Sequence, residues 1–313
     1  MKVKFLVSAL FLAMTFSVFA GGSSESRGSA EYAVILKTLA SPFWQGVKEG
    51  VESKAAELGV SVDIFAAISE DDVEGQLQLM ENAISRGYKA IGVAPISPVN
   101  LNSAIADATR RGIFIVNIDE MVNLENLRAQ SGAVQGFVST DNVSVGMLGA
   151  GHIISTLAGG GQVAIIEGRA GNTSGEDRRQ GAARAFNAAT GFTIVASQPA
   201  DWDRTMAFDL TASLMTRFPN LRAIYACNDT MAMGALEAVR QAGRNIIVVG
   251  TDGNPDALES VSRGELAATV MQDTNAIGSI GFEMLVQAHR DGASIDPSAE
   301  VPFRAAQARL IVR

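Results

Sequence analysis

Residues 32–59 read YAVILKTLASPFWQGVKEGVESKAAELG, and this stretch decides the fold class. Its first residues, Tyr32 to Leu36, form an unbroken apolar run, which predicts a strand buried on both faces. Ser41-Pro42 then opens a helix, because a hydroxyl suits the cap position and Pro suits the first turn. The helix is predicted to run to about Leu58 and to end at Gly59. A buried strand followed by a helix is the repeating unit of a parallel α/β sheet.

The same alternation continues along the rest of the chain. Further strands are predicted at 62–66, 90–94 and 113–118, and then near 163–166, 193–196, 223–226, 246–249 and 268–270. One sheet of this many strands would be unusually wide, so the pattern favours an α/β fold with two Rossmann-like, doubly wound parallel sheets. The less apolar stretch 121–136 is a predicted place for the chain to leave the first domain.

The composition excludes several classes of protein. The chain has 313 residues, of which 47% are hydrophobic and 19% charged, with a formal net charge of -8. These values are typical of a globular protein and give no basic footprint for nucleic acid, which is therefore not expected as a partner. Cys227 stands alone, and His152 and His289 are far apart, so no disulfide, metal site or cofactor is predicted.

The N-terminus has the pattern of a secretory signal peptide. Lys2 and Lys4 precede an uncharged apolar stretch that ends in Val18-Phe19-Ala20. Residues 1–20 are predicted to be cleaved, because the stretch is short for a spanning helix and ends in small residues. No Cys follows it, so lipidation is not expected. Residues 21–29 are predicted to be a flexible leader, and the protein is predicted to be periplasmic.

Polar side chains follow the predicted strands at the points where these strands end. In open α/β sheets, ligands bind beyond the carboxyl ends of the strands. Each residue could equally be a cap or turn residue, but together their donors and acceptors suit a polyhydroxylated ligand. The residues are Lys37, Asp119, Asn228, Asp252 and Gln272.

Scarce aromatic residues lie beside these strand ends. Phe43-Trp44 falls in the first turn of the first helix, and Trp202 lies between Asp201 and Asp203. Their faces could stack against the C–H faces of a sugar ring, with core packing as the alternative. The Gly-rich segment 168–175 is interpreted as a flexible loop that contacts the ligand.

Enzyme activity is not expected. Glu176 and Asp203 could in principle act as acid and base, but nothing around them predicts a raised pKa. No phosphate-binding Gly-Lys-Ser/Thr motif follows a Gly cluster, and no serine elbow accompanies either His.

These residues and the stretches around them resemble the periplasmic sugar-binding proteins of the ribose-binding type, over nearly all of residues 30–313. Among the members of that family, the allose binders are the most similar. The most specific stretches are Lys37-Thr38-Leu39 with Pro42-Phe43-Trp44, residues 60–66, residues 164–168, residues 197–204, residues 228–234 and residues 248–253. The resemblance implies the type I periplasmic binding protein fold, in which three hinge crossings join the two domains and the sugar is enclosed between them.

The resemblance also implies the ligand contacts. These would be Lys37, Phe43, Trp44, Asp119, Arg178, Trp202, Asn228, Asp252 and Gln272. Ser41 and Glu120 complete the predicted site, although Ser41 replaces the Asn that is usual before the Pro-aromatic pair. Glu120 stands where ribose binders have Arg, and with Lys37 it favours an allose-like hexose, with ribose next. Arg178 is chosen over Arg179 from its spacing to Gly181.

The same resemblance implies the lobes and the partners. The N-terminal lobe is expected to comprise 30–139 plus 273–301 and the C-terminal lobe 140–272 plus 302–313. The hinge crossings are expected near Thr140-Asp141, near Gln272-Asp273 and near Pro302. A monomeric receptor would close on a monosaccharide and deliver it to an inner-membrane ABC permease. The alternative is a receptor for another polyhydroxylated ligand that is coupled to a chemoreceptor or to signalling.

Overall fold

The computed structural model describes residues 30–313. The predicted signal peptide (1–20) and leader (21–29) lie outside the described residues. Within the described part of the chain, no helix combines the length and the apolar character that crossing a bilayer requires.

Strands and helices alternate along the chain. The first part contains β1 (Tyr32–Leu36), α1 (Pro42–Leu58), β2 (Val62–Ala66), α2 (Val73–Arg86), β3 (Ala90–Val93), α3 (Asn102–Arg110), β4 (Phe114–Ile118), α4 (Leu124–Ala129), β5 (Gly136–Thr140) and α5 (Asn142–Thr156). The second part contains β6 (Gly161–Glu167), α6 (Thr173–Ala188), β7 (Phe192–Pro199), α7 (Arg204–Arg217), β8 (Leu221–Ala226), α8 (Asp229–Gln241), β9 (Ile247–Asp252), α9 (Pro255–Ser262), β10 (Ala268–Gln272), α10 (Thr274–Arg290), β11 (Phe303–Ala306) and β12 (Ala308–Val312).

The strands form two six-stranded sheets, which confirms the predicted fold class. Their orders are β11-β5-β4-β3-β1-β2 and β12-β10-β9-β8-β6-β7. The neighbouring strands run parallel, except that β12 pairs antiparallel with β10. We call the first sheet with its helices the first lobe, and the second sheet with its helices the second lobe.

Strand β1 shows why the strands are apolar throughout. Val34 and Leu36 pack into one buried cluster, which also contains Val47 of α1. Ala33 and Ile35 point the opposite way, into a cluster that contains Met80 of α2. Because helices cover both faces of the sheet, an exposed polar side chain has no place on this strand.

Helices α5 and α6 approach each other closely enough to seat a residue of the site. A Cβ atom at Gly146 of α5 would lie 2.0 Å from the carbonyl oxygen of Arg178 on α6. Only a glycine fits at this contact, so the two helix backbones can touch. The contact holds Arg178 at the inner edge of the second lobe.

The chain crosses between the lobes three times, at Asp141, Asp273 and Gln307. Asp141 caps α5 by accepting from the Ser144 amide at 3.1 Å, and Asp273 caps α10 in the same way. The Asp273 amide also donates to the Gln307 carbonyl at 3.0 Å, which ties two of the crossings together.

Two of the boundary predictions need correction. The third crossing lies at Gln307 rather than near Pro302, because Phe303–Ala306 pairs with β5 in the first sheet. Phe303 is 52% exposed, and its strand lies at the edge of the sheet. An edge strand lacks the unbroken apolar run from which the buried strands were predicted. The stretch 121–136 does not leave the first domain: it contains α4 and leads into β5 of the same sheet.

Candidate ligand-binding site

A cleft separates the two lobes at the carboxyl ends of the strands in both sheets. The space at its centre measures about 350 Å³ when the part that is open to solvent is included. The lining residues are Lys37, Ser41, Phe43, Trp44, Glu70, Asp119, Ser174, Arg178, Trp202, Asn228 and Asp252. The cleft is therefore lined by charged and aromatic side chains from both lobes.

The structure brings most of the predicted site residues together. Two of the predicted contacts do not line the cleft: Glu120 lies buried behind Lys37, and Gln272 lies buried behind Asp252. Sequence reasoning missed Glu70 and Ser174. Glu70 lies in the loop after β2, so reading further past each strand end would have found it.

Arg178 rather than Arg179 faces the cleft, as the sequence spacing predicts. Arg178 is 4% exposed, whereas Arg179 lies nearer the surface and pairs with Glu176 at 3.0 Å. Asp203 caps α7 by accepting from the Met206 amide at 2.7 Å. Glu176 and Asp203 thus each have a local structural partner.

Asp119 supplies an acceptor from the first lobe. It follows β4 with a φ of 61°, a left-handed conformation that turns its side chain out of the strand line. Its Oδ1 atom is buried and has no hydrogen-bond partner among residues 30–313. Burial raises the pKa of Asp119 to about 6, although Lys37 and Arg178 oppose this shift. A ligand hydroxyl would satisfy this oxygen.

Lys37 supplies a buried cation in the same lobe. Its Nζ lies 3.4 Å from Glu120 Oε2 and 5.6 Å from the centre of the Trp44 ring. Burial alone would lower the pKa of Lys37, but the carboxylates of Glu120, Glu70 and Asp119 outweigh it and raise that pKa. Lys37 therefore stays charged and can donate to a ligand oxygen.

Arg178 and Asp252 form the polar wall of the second lobe. Arg178 donates from Nε to Asn142 Oδ1 and from Nη1 to the Cys227 carbonyl, both at 2.8 Å. Its Nη1 also lies 3.4 Å from Asp252 Oδ1, which accepts from Gln272 Nε2 at 2.7 Å. Burial raises the pKa of Asp252 to about 7, although Arg178 lowers it. The guanidinium is held on fixed acceptors and presents its remaining donors to the cleft.

Asp229 supports this wall from behind and was not predicted from the sequence. It is fully buried and accepts from the amides of Gly253 at 2.7 Å and Asn254 at 2.8 Å, and from Thr269 Oγ1 at 2.7 Å. Burial and the nearby Asp252 raise the pKa of Asp229. These bonds fix the turn that follows Asp252. The directly adjacent Asn228 caps α8 through Oδ1, which leaves its amide nitrogen for the cleft.

Aromatic rings close the cleft on two sides. Phe43 and Trp44 pack edge to face with centroids 4.9 Å apart, and both line the cleft while also belonging to the first-lobe core. Core packing of this pair is confirmed, and its contact with a ligand stays a prediction. The Trp44 indole donates to Glu70 Oε1 at 2.8 Å.

Trp202 faces them from the second lobe. It has a φ of 68°, and a Cβ at Gly168 would lie 2.0 Å from its ring. The Gly-rich segment 168–175 thus seats the indole, and Arg178 lies 5.9 Å from the ring centre on the cleft side. The prediction that this segment contacts the ligand stays a prediction.

Direct contacts join the lobes across the cleft. Asn172 Nδ2 donates to the Ile96 carbonyl at 3.2 Å, and Arg169 pairs with Asp71. Glu120 accepts from the Thr173 amide at 2.5 Å. The lobes are therefore closed on each other.

Comparison with known proteins shows to which family this chain belongs. A family profile described as "Periplasmic binding protein domain" matches residues 32–293. The chain is 48% identical to the D-allose-binding periplasmic protein of Escherichia coli K12, over 93% of this chain and 94% of that protein. The chain belongs to the periplasmic binding protein family.

Other members of the periplasmic binding protein family agree in sequence and fold. The ribose import binding protein of Haemophilus influenzae is 33% identical, over 86% of this chain and 89% of that protein. A solute-binding protein of an ABC transporter from Actinobacillus succinogenes, solved with bound D-allose, superimposes with a TM-score of 0.82 at 30% identity and covers 90% of this chain and 96% of its own. The resemblance stated from sequence is confirmed, as is the prediction of a binding protein rather than an enzyme.

Proposed function

We propose that this chain captures one monosaccharide between its lobes and delivers it to an inner-membrane ABC permease. One observation carries the proposal: both lobes contribute charged side chains to a single cleft bounded by aromatic rings. Asp119 and Lys37 come from one side, and Asp252 and Arg178 come from the other. A sugar hydroxyl both donates and accepts, and the C–H faces of the ring suit aromatic walls.

An allose-like hexose is the proposed ligand, with ribose next. The 48% identity to a protein named for D-allose supports this choice, as does the relative with bound D-allose. Lys37, Phe43, Trp44, Asp119, Arg178, Trp202, Asn228 and Asp252 are the proposed direct contacts, with Ser41 at the cleft edge. Gln272 is proposed to act from behind, through Asp252, and Glu120 is proposed to act without contacting the ligand.

Closure around the ligand is the proposed mechanism. The lobes would comprise residues 30–140 plus 274–306 and residues 142–272 plus 308–313, with the three crossings as the hinge. A ligand that bonds to both walls binds the closed form more tightly and shifts the population toward it. The permease would then recognise the closed shape.

Calorimetry with a panel of D-allose, D-ribose, D-galactose and myo-inositol tests this function. We expect saturable binding of one molecule per chain, tightest for D-allose, with a change in tryptophan fluorescence. Myo-inositol belongs in the panel because a Caulobacter myo-inositol binding protein superimposes with a TM-score of 0.79 at 28% identity, covering 91% of this chain and 94% of its own. Absence of heat with every compound would overturn the proposal.

Location and assembly follow from the same proposal. Residues 1–20 would be removed during export to the periplasm, so the N-terminus of the exported protein should be Gly21. The receptor would act as a monomer, without nucleic acid, and light scattering of the purified protein would measure its mass. A chemoreceptor is the alternative partner: loss of sugar uptake on deletion of the chain supports the permease, whereas loss of taxis alone supports the chemoreceptor.

A further inference from the structure

The N-terminus of α6 is capped by the opposite lobe. Asn172 occupies the cap position, yet within residues 30–313 its side chain makes no cap hydrogen bond. Asn is among the best capping residues, and Asn228 caps α8 in the usual way. The Asn172 side chain instead donates to the Ile96 carbonyl and accepts from Trp202 Nε1 at 3.3 Å.

Glu120 takes over the cap from across the cleft. Its Oε1 accepts from the Thr173 amide at 2.5 Å, and its Oε2 accepts from Ser174 Oγ at 2.8 Å. Glu120 is fully buried and follows β4 in the first lobe. A carboxylate is well placed at a helix N-terminus, where free amides and the helix dipole favour negative charge.

Separation of the lobes would break the contacts of Glu120 and of Asn172 across the cleft at the same time. Glu120 and Ile96 both belong to the first lobe and would move away from α6 together. The Thr173 amide and the Ser174 hydroxyl would lose their acceptor, and the Asn172 side chain would lose the Ile96 carbonyl across the cleft. Rotation of that side chain onto the amides of Ser174 or Gly175 would restore an ordinary cap.

We propose that closure exchanges the cap of α6, and that Glu120 and Asn172 are positioning residues for the ligand. In the open form, Asn172 caps α6. In the closed form, Glu120 caps α6, and Asn172 is released to orient the Trp202 indole. This inference rests on the proposed function, because Trp202 is placed there as a wall of the ligand site.

The exchange of the α6 cap on closure makes a distinctive prediction for the affinities of different sugars. A bond that stabilises the closed form without touching the ligand changes the affinity for every ligand by the same factor. A residue that acts through Lys37 would instead change the affinity for each sugar according to its hydroxyl pattern. Uniformity across sugars therefore separates the two roles of Glu120.

The first experiment compares Glu120→Gln with Glu125→Gln. Glu125 is an exposed carboxylate in the first turn of α4, which makes it a control for loss of charge at a helix start. We expect Glu120→Gln to weaken the binding of D-allose, D-ribose and D-galactose alike, each by about 10-fold, because Gln lacks the negative charge and one of the two acceptor oxygens at the helix N-terminus. Glu125→Gln should leave the affinities for all three sugars unchanged. Unequal fold-changes in affinity among the three sugars, or unchanged affinities in Glu120→Gln, would overturn the proposed exchange of the α6 cap.

The second experiment follows individual amides by hydrogen exchange in NMR spectra. In the wild-type protein, saturating D-allose should protect the Thr173 amide, and Glu120→Gln should reduce that protection because a neutral amide oxygen is a weaker acceptor than a carboxylate oxygen. An equal rate of hydrogen exchange at the Thr173 amide with and without sugar would contradict the proposal.

A third variant keeps the test valid if no sugar binds. Asn172→Ala removes the proposed open-state cap, so the Ser174 or Gly175 amide of the ligand-free protein should exchange faster than in the wild type. Unchanged exchange at both amides would overturn the cap exchange. Failure of every sugar to bind would instead overturn the proposed function.

Discussion

Asp119 and Asp252 lie at the ends of equivalent strands, β4 and β9, and bring carboxyl groups from opposite lobes into one cleft. Both residues have positive φ angles, 61° and 121°, which residues other than Gly rarely adopt. Strain of this kind persists where the surrounding structure enforces it. The two sheets thus place the same acceptor at the same position of their strand order.

These carboxyl groups make the stability of the ligand-free protein depend on pH. Burial raises the pKa of Asp119 to about 6 and that of Asp252 to about 7, above the value of 3.8 for a free Asp. The folded protein therefore binds protons that the unfolded chain has lost, and this contribution to stability disappears as the pH rises from about 4 through about 7. We expect Asp252→Asn to reduce the fall in melting temperature between pH 5 and pH 7.5, as calorimetry would measure. An equal fall in both proteins would contradict the assignment.

Ligand binding should release protons in the same range. Hydroxyl groups that donate to Asp119 and Asp252 favour the ionised carboxylates and lower both pKa values. Affinity for D-allose should therefore increase from pH 5.5 to pH 7.5. Calorimetry at pH 6.5 in buffers of different ionisation enthalpy measures the released protons, and at pH 8.5 the release should vanish. Binding that is independent of both pH and buffer would count against ionised carboxylates as the acceptors.

Gly168 should be essential for the Trp202 wall. Because a Cβ at this position would lie 2.0 Å from the indole, Gly168→Ala must displace the ring. We expect the affinity for D-allose to fall by about 10-fold or more. Gly151→Ala is the matched control, since apart from its neighbours in α5 no atom lies within 4 Å of its added Cβ, and Ala favours a helix. If both variants bind alike, Trp202 does not contact the ligand.

Ser41 should matter for binding and not for the helix that it precedes. Within residues 30–313 its side chain makes no cap hydrogen bond, and it lines the cleft. Ser41→Ala should therefore change the free energy of unfolding by less than about 0.5 kcal/mol. Asp72→Ala should cost about 1 kcal/mol, because Asp72 caps α2 through the Gly75 amide at 3.0 Å. Denaturant unfolding compares them, and an equal loss of stability would show that Ser41 supports α1.

Cys227 should be inert in the folded protein. Its side chain is fully buried, and burial raises the pKa of the thiol to about 12. The reactive thiolate is therefore scarce at neutral pH. A chromogenic disulfide reagent should label less than a tenth of the protein within an hour, on the order set by rare opening, and all of it in denaturant. Rapid labelling of the native protein would refute this burial.

The sequence was most informative where burial is complete. Strand β1 and helix α1 have the predicted bounds, because a strand covered on both faces leaves an unbroken apolar run and Gly59 adopts the left-handed angle that ends the helix. Strands β5, β11 and β12 were not predicted. Two of them lie at sheet edges, where side chains face water and the apolar pattern fades.

The site could be located from sequence but not assigned atom by atom. Asp119 and Asp252 were found because they stand at the carboxyl ends of their strands. Glu120 was predicted as a ligand contact, and its partners Thr173 and Ser174 are far away in sequence. A bond across the cleft depends on the relative position of the lobes, which no local pattern contains.

The crossing at Gln307 has a consequence for the order of assembly. A chain that is made and exported from its N-terminus presents residues 303–312 after all the other strands, and these residues supply one edge strand to each sheet. Until they arrive, each lobe lacks a strand and exposes the backbone of β5 or β10 as an open edge. One short segment therefore completes both lobes, so neither lobe should reach its full native fold before residues 303–312 have been exported.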